Sequence, residues 1–411
     1  MDFTFSEEQA AVAESASAVF AGHATSERVA EIEAGEVCVD RELLDELGRA
    51  TLIGLAVPEE HGGSGLGMVE LAILLVEQGR RVAPVPLLST VVGGLALSRF
   101  GTEEQKAALL PGVVAGEVIL AAALPTSGSG DPRLPSINAV PDGHGWVLEG
   151  VCPVVRAANL ATRLLVPARL GAGEGTGVFV VDPAVSGCNV ERVITTDRQE
   201  NGRVRLTGYR ATLADLIGDP ADQKVPAGGP GMLEWIVQRY IVGLCALQLG
   251  VCQEAVSIAA RYTSERRQFG KPLAGFQGVA LRAADAHIDT EAMSVTLWQA
   301  AWLLDQGIDA AAEVRVAKWW ASEAGHRVVH AVQHLHGGLG ADVTYPVHRY
   351  FLWGKHIELE MGAGAAQLAR LGDELAGASS AGRAGGPGTL AAGASSAGRA
   401  GGPGTLAAGA A

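Results

Sequence analysis

What the chain lacks narrows its class before any motif is read. It has no basic excess: 45 Asp and Glu stand against 31 Lys and Arg in 411 residues, a formal net charge of −14. Nucleic acid and anionic membranes are held by basic faces, so neither is an expected partner, and a polyanionic small ligand would need a local basic pocket instead of long-range steering. It also has no C-x-x-C pair. The five cysteines, Cys38, Cys152, Cys188, Cys245 and Cys252, are odd in number and widely spaced, which suits neither a disulfide framework nor a zinc site and fits a reducing compartment. The opening Met1–Glu8 has neither the basic region nor the apolar core of a secretory leader, and no later apolar run is read as membrane-spanning. A soluble, cytoplasmic protein without a metal site is the expectation.

What is present falls into three blocks and a tail, since 411 residues exceed one ordinary core. Residues 1–117 predict an N-terminal helical domain. Ser6-Glu7-Glu8-Gln9 caps a run to Phe20, Asp40 precedes Leu43 to Arg49, and further runs cover Met68 to Gly79, Leu87 to Arg99 and Glu103 to Val113. The loop Gly62-Gly63-Ser64-Gly65 lacks a Lys-Ser/Thr ending and follows no clear strand, so it reads as structure before phosphate cradle. Residues 118–227 predict a middle β-domain. Its short runs, Val118–Ala123, Trp146–Leu148, Arg163–Val166, Gly177–Val181 and Asn189–Val193, are parted by turn residues. Residues 228–377 predict a four-helix bundle, with helices near 232–264, 276–306, 309–336 and 346–375, and the whole is α+β by domain. Residues 378–411 repeat A-S-S-A-G-R-A-G-G-P-G-T-L-A-A-G twice; such a segment buries too little to offset ordering, and a disordered tail is expected.

The stretch Arg261 to Gln277, R-Y-T-S-E-R-R-Q-F-G-K-P-L-A-G-F-Q, joins two of the predicted helices. Gly270 and Pro272 stop the first helix at Phe269, so the second must fold back beside it. Arg, Gln and aromatic side chains crowd this corner. A guanidinium forks onto phosphate oxygens and an aromatic face stacks, which suits a phosphate-bearing, ring-bearing ligand. A solvated helix end whose cations meet the C-terminal dipole is the other reading these residues allow.

The stretch resembles the signature of the acyl-CoA dehydrogenase family, and the resemblance extends over roughly residues 1 to 375, including the later His336-Gly337-Gly338-Leu339-Gly340 segment. It implies that family's architecture, an acyl-CoA substrate, FAD as cofactor and, as usual electron acceptor, an electron-transfer flavoprotein. It also implies that Arg266, Phe269 and Gln277, with His334, Gly337 and Gly338, reach across a subunit interface to hold the pyrophosphate and adenine half of FAD. His334 stands where the family has Gln.

The other half of the family site is altered. The resemblance implies a carboxylate base in a Y-E-G-T segment, yet its position falls on Met361, and a thioether takes no proton. Glu360 is one residue away, and on a continuous helix it would point about 100° aside. A minority of the family carries the base on the preceding helix, here at Tyr240; Glu234 lies six residues earlier, where the helix dipole also explains an acid. The family's T-E-P-x-A-G-S-D segment is replaced by Leu124 to Asp131, with Thr126 and Ser127 as remaining donors. Val154 replaces the aromatic that backs the flavin, and Cys152 a lysine. No catalytic residue is therefore assigned, with Glu360 and Glu234 as weak candidates. A preserved clamp with a lost base implies the non-catalytic subunit of an α2β2 acyl-CoA dehydrogenase acting on a bulky acyl-CoA such as a steroid side chain. A homotetramer with a relocated Glu base and a flavin-free acyl-CoA-binding scaffold are the alternatives.

Overall fold

The computed structural model describes residues 4–124, 131, 133–171, 175–218 and 231–384, with side chains described to residue 376. The chain divides into two compact units, Met1–Leu371 and Gly372–Ala411; the architecture below is that of the first. Its N-terminal block contains α1 (Glu7–His23), α2 (Ser26–Ala34), α3 (Arg41–Arg49), α4 (Met68–Arg81), α5 (Leu87–Phe100) and α6 (Glu103–Val114). The expected caps are present: Ser6 and Gln9 close a reciprocal box on α1, and Asp40 accepts from Leu43 N at 3.1 Å on α3. Helix α2 carries no strong apolar pattern and was not expected. Gly63 of the Gly-rich loop packs against its own chain, where an added Cβ would lie 2.1 Å from the Val57 carbonyl oxygen, in keeping with a structural loop.

The middle block is a seven-stranded sheet of β1 (Leu120–Ala122), β2 (Ile137–Asp142), β3 (Gly145–Arg156), β4 (Arg163–Leu170), β5 (Thr176–Val181), β6 (Cys188–Val193) and β7 (Asn201–Ala211). Its order is β1-β4-β2-β3-β7-β6, with β5 on β4. The sequence reading found only the first part of β3 and neither β2 nor β7. Alternating burial explains the miss, since β7 places Arg203, Arg205, Thr207 and Arg210 outward between buried Val204, Leu206 and Tyr209.

The C-terminal block holds α7 (Met232–Glu265), α8 (Gln277–Asp305), α9 (Ala311–His336), α10 (Val347–Leu359) and the start of α11 (Gly364–Ala384). Three expectations need correction. First, α7 is long and apolar enough to cross a membrane by length and composition, contrary to the sequence reading, but 78% of its apolar window is buried inside the fold, among α4, α8, α9 and α10. Second, the expected helix 346–375 is two helices. Lys318 Nζ donates to the Ile357 and Glu358 carbonyls at 2.9 and 3.2 Å and ends α10; Met361 and Gly362 then turn at φ +62° and +94°, and Gln367 and Arg370 donate to the Met361 carbonyl. Third, α11 runs to Ala384, past the expected start of the tail at 378; residues 385–411 lie outside the described residues.

The N-terminal and C-terminal blocks meet along α4 and α7 with their backbones almost in contact. A Cβ on Gly250 would lie 2.0 Å from the Val76 carbonyl oxygen, and one on Gly79 2.2 Å from that of Leu247. Asp305, at the end of α8, closes the same seam by accepting from Met68 N and Val69 N at 2.6 and 2.9 Å at the start of α4. Because both sides of the Gly250 contact are main chain, no side chain can swing away. Gly250→Ala is expected to destabilise the protein by about 1–3 kcal/mol or more, the usual cost of overpacking. Chemical denaturation checks this, and an unchanged midpoint would mean that the seam is free to open.

Candidate functional site

Helix α7 ends at Glu265, four residues before the expected stop at Phe269. Its last turn closes with Arg266 N on the Tyr262 carbonyl at 2.9 Å, and a two-residue hairpin follows, β8 (Arg267–Gln268) and β9 (Lys271–Pro272). Phe269 and Gly270 make its turn at φ +51° and +82°. Phe269 is 91% exposed, with only an edge contact to Phe276 at 6.2 Å. Arg266 and Gln277 are also exposed, and among the described residues neither side chain has an internal hydrogen-bond partner. An exposed Phe, Arg and Gln with no structural task fit a surface that receives something.

The second part of the expected clamp lies at the same end of the bundle. His336, the last residue of α9, stacks on Tyr262 of α7 at 4.6 Å, so the α9 terminus is tied to the turn of α7 that precedes Arg266. His336 itself is buried, its Nδ1 is 2.8 Å from the Val332 carbonyl, and burial lowers its pKa, which makes it a structural, neutral histidine. His334, Gly337 and Gly338 are exposed. A Cβ placed on Gly337 or Gly338 would meet nothing within 4 Å, leaving room for a ligand to approach main-chain N–H groups.

The positions expected to carry catalysis also meet, around a buried charge. Glu360 follows the last residue of α10 in extended conformation (φ −66°, ψ 136°), so the 100° helical offset from Met361 does not apply. Its carboxylate receives Arg156 Nη2 at 2.6 Å and Tyr240 Oη at 2.7 Å. His356 Nε2 stands 3.5 Å from it and 3.6 Å from Asp197, and Arg156 Nη1 lies 3.7 Å from Asp197. Arg156 ends β3, directly after the segment that resembles the family's flavin-ring support; Tyr240 is the alternative base position. Three segments that the sequence assigned to one catalytic centre thus converge, and the meeting point is filled by a salt-bridged cluster. Arg156, Asp197 and His356 were not singled out from sequence; a charged residue closing the apolar run Val154-Val155 was the available signal.

This arrangement makes Glu360 an ion-pair partner. Burial alone would raise its pKa, but the Arg156 guanidinium and then His356 carry it well below the usual carboxylate range. A proton acceptor for carbon acids needs the opposite shift. Met361 is 1% exposed in the helical core. Glu234 belongs to another group of charges, accepting from Gln238 at 3.3 Å with Arg133 and Arg315 at 3.6 and 3.8 Å. Cys152 Sγ lies 3.2 Å from Ser136 Oγ in the sheet core, and burial raises its pKa, so it is a packing residue. Thr126 and Ser127 lie outside the described residues.

The Arg156–Glu360 pair yields a prediction with a sign. The folded pKa of Glu360 is depressed, so its stabilising effect is complete above the unfolded carboxylate value of about 4.3 and is lost as pH falls through the folded value. Glu360→Gln leaves Arg156 with a reduced partner set and is expected to cost about 3–5 kcal/mol. Thermal unfolding followed from pH 7 to pH 3 should show a lower starting Tm and a shallower acid decline in the variant. Superimposable profiles would mean that the pair carries no folding energy.

Comparison with known proteins gives the chain a family. The family described as acyl-CoA dehydrogenase, N-terminal domain, matches residues 6–117, and acyl-CoA dehydrogenase, C-terminal domain, matches residues 238–376. The chain is 34% identical over 385 residues to the acyl-CoA dehydrogenase FadE27 of Mycobacterium tuberculosis, covering 92% of this chain and 99% of that one. Among solved structures it resembles the Tcur3481-Tcur3483 steroid ACAD G363A variant, with TM-score 0.84, 44% identity and coverage of 91% and 99% of the two chains. It also resembles the ChsE4-ChsE5 complex from Mycobacterium tuberculosis, with TM-score 0.84, 34% identity and coverage of 92% and 99%. The chain belongs to the acyl-CoA dehydrogenase family, oxidoreductases that act on acyl-CoA.

Proposed function

We propose that this chain is the non-catalytic subunit of a heteromeric, FAD-dependent acyl-CoA dehydrogenase. It completes a cofactor site whose flavin ring and base belong to a second family member. The observation that carries this reading is the Arg156–Glu360–Tyr240 cluster, which ties the carboxylate beside the family's base position to a buried guanidinium and a tyrosine hydroxyl. The half of the site that would serve a partner is open. Arg266 would fork onto the pyrophosphate, Phe269 and His334 would lie against the adenosine half, Gln277 would donate to it, and Gly337 and Gly338 would let main chain come close. FAD supplies, when bound, the acceptor for the hydride leaving the acyl β-carbon.

The partner provides what this chain has lost: a carboxylate of raised pKa for the α-proton and donors for the developing charge on the thioester carbonyl. The resemblance to the paired chains Tcur3481-Tcur3483 and ChsE4-ChsE5 supports the two-chain assembly, and the word steroid attached to the first supports a bulky, steroid-type acyl-CoA as substrate. The family likeness supports a cytoplasmic enzyme that passes electrons to an electron-transfer flavoprotein.

Flavin stoichiometry tests the assignment. Expressed alone, the chain should bind little FAD and show no dehydrogenase activity; co-expressed with its partner, the complex should be yellow and active, with flavin matching the partner's copy number. A yellow, active homo-oligomer would restore the relocated-base reading, and a flavin-free complex the scaffold reading.

The clamp is tested separately. Arg266→Ala in this chain only should leave it folded, because the side chain is exposed and unpaired, yet loosen FAD in the complex. Loss of a charge-assisted hydrogen bond costs roughly 1.5–3 kcal/mol, or about one to two powers of ten in Kd. Fluorescence titration of FAD into the apo complex reads this, and unchanged affinity would make the corner structural.

A further inference from the structure

We propose that the outer face of α8 is the surface on which the second chain docks, and that two acids within it, Asp285 and Glu291, select a partner with basic residues opposite them over a second copy of this chain. This rests on the proposed two-chain assembly and names the contact that makes it heteromeric.

Helix α8 is apolar on two sides. It packs on α7 and α9 and buries Met293, Leu297 and Leu304. Its outer side carries Leu281, Ile288, Val295 and Trp302, each between 41% and 64% exposed. The spacing is seven residues throughout, with Ala284 and Ala292 falling between them. A seven-residue repeat keeps one line of side chains facing a second helix that crosses at about 20°, and this line runs for roughly 30 Å at a rise of about 1.5 Å per residue. A monomer rarely leaves so long an apolar line uncovered. The line also continues the clamp: Gln277 is the first residue of α8, and Leu281 follows it by four residues, on the same face.

Charge decides between occupants. Asp285 lies on this face between Leu281 and Ile288, and Glu291 between Ile288 and Val295, both exposed. Among the described residues Asp285 has no ion pair, and Glu291 has only His287, whose Nδ1 is 4.0 Å away. The guanidinium that reaches α8 from α9, Arg327, is committed to Asp289 at 2.8 and 2.7 Å. Two copies of this chain would meet about a two-fold axis. Antiparallel pairing centred on the line sets Leu281 against Trp302 and Ile288 against Val295. Asp285 then faces Trp298, the two Glu291 side chains approach each other across the axis, and Arg282 meets neither acid. Parallel pairing sets each acid against its own copy. Either arrangement covers carboxylates without supplying cations, which interfaces penalise heavily. A helix that offers apolar residues to the line and Lys or Arg to the two acids removes that penalty, and a different family member is the occupant that can supply it.

Two measurements by analytical ultracentrifugation test this. In the complex with the partner chain of the flavin-loaded enzyme, Ile288→Asp and Glu291→Lys in this chain should each weaken association by about tenfold or more. In this chain alone, Asp285→Asn combined with Glu291→Gln should tighten self-association over wild type by about tenfold or more. Circular dichroism checks the fold; if Ile288→Asp is misfolded, Val295→Asp replaces it with the same expected weakening. A complex unmoved by the Asp variant, a complex unmoved by Glu291→Lys, or no gain in self-association on neutralising the acids would each overturn the proposal and leave the two-chain assembly standing. A wild-type chain that assembles with itself into a flavin-loaded, active oligomer would overturn both.

Discussion

A carboxylate removed from water must find its compensation in the protein, and the rest of this chain's site follows from where Glu360 finds it. Its partners come from every block it touches: Arg156 from the sheet, Tyr240 from the central helix, and His356 from its own helix, with Asp197 from the loop before β7 as counterweight. Because desolvation opposes both members of the pair, such a cluster holds only while its geometry is complete, and removing one member costs more than the cluster contributes over an apolar filling. Net stability is therefore a weak reason for its presence. What it does is fix the sheet against the bundle and occupy the space between them.

The break at residues 360–363 makes this possible. If α10 and α11 were one helix, Glu360 and Met361 would diverge by about 100° and only one could address Arg156. Lys318, fully buried and with its pKa pushed down to about 8 by that burial, is committed to the carbonyls that end α10. The turn that follows sends the Glu360 carboxylate toward β3 and leaves the Met361 thioether in the helical core. The break at the end of α10 thus decides which of two neighbours faces Arg156, and it selects the acid.

The sequence carried the block order and most helices, because these rest on local signals: caps and apolar periodicity. It did not carry the salt-bridged cluster around Glu360. Arg156 and Glu360 are 204 residues apart, and nothing near either announces that it is buried. Counting along the chain placed Tyr240 and Met361 as alternative homes for one base, and the fold brings Tyr240 to Glu360, the neighbour of Met361. The expectation that Glu360 points elsewhere failed because it assumed an unbroken helix, although Gly362 and Gly364 were there to be read. The apolar run read near 232–264 gave the end of α7 to within a residue, whereas reading Phe269-Gly270 as the helix stop overran it, because that pair marks a hairpin turn.

The two halves of the family site have been treated oppositely by the same chain. At the clamp, Phe269 is left 91% exposed and the Gly337-Gly338 surface is open, both costly choices for an isolated surface and sensible ones for a surface that is covered on assembly. Around Glu360, charge is neutralised internally by Arg156, with Tyr240 and His356 alongside. Exposure at the clamp corner and internal pairing at the Glu360 cluster are the two features that the proposed division of labour between subunits would require.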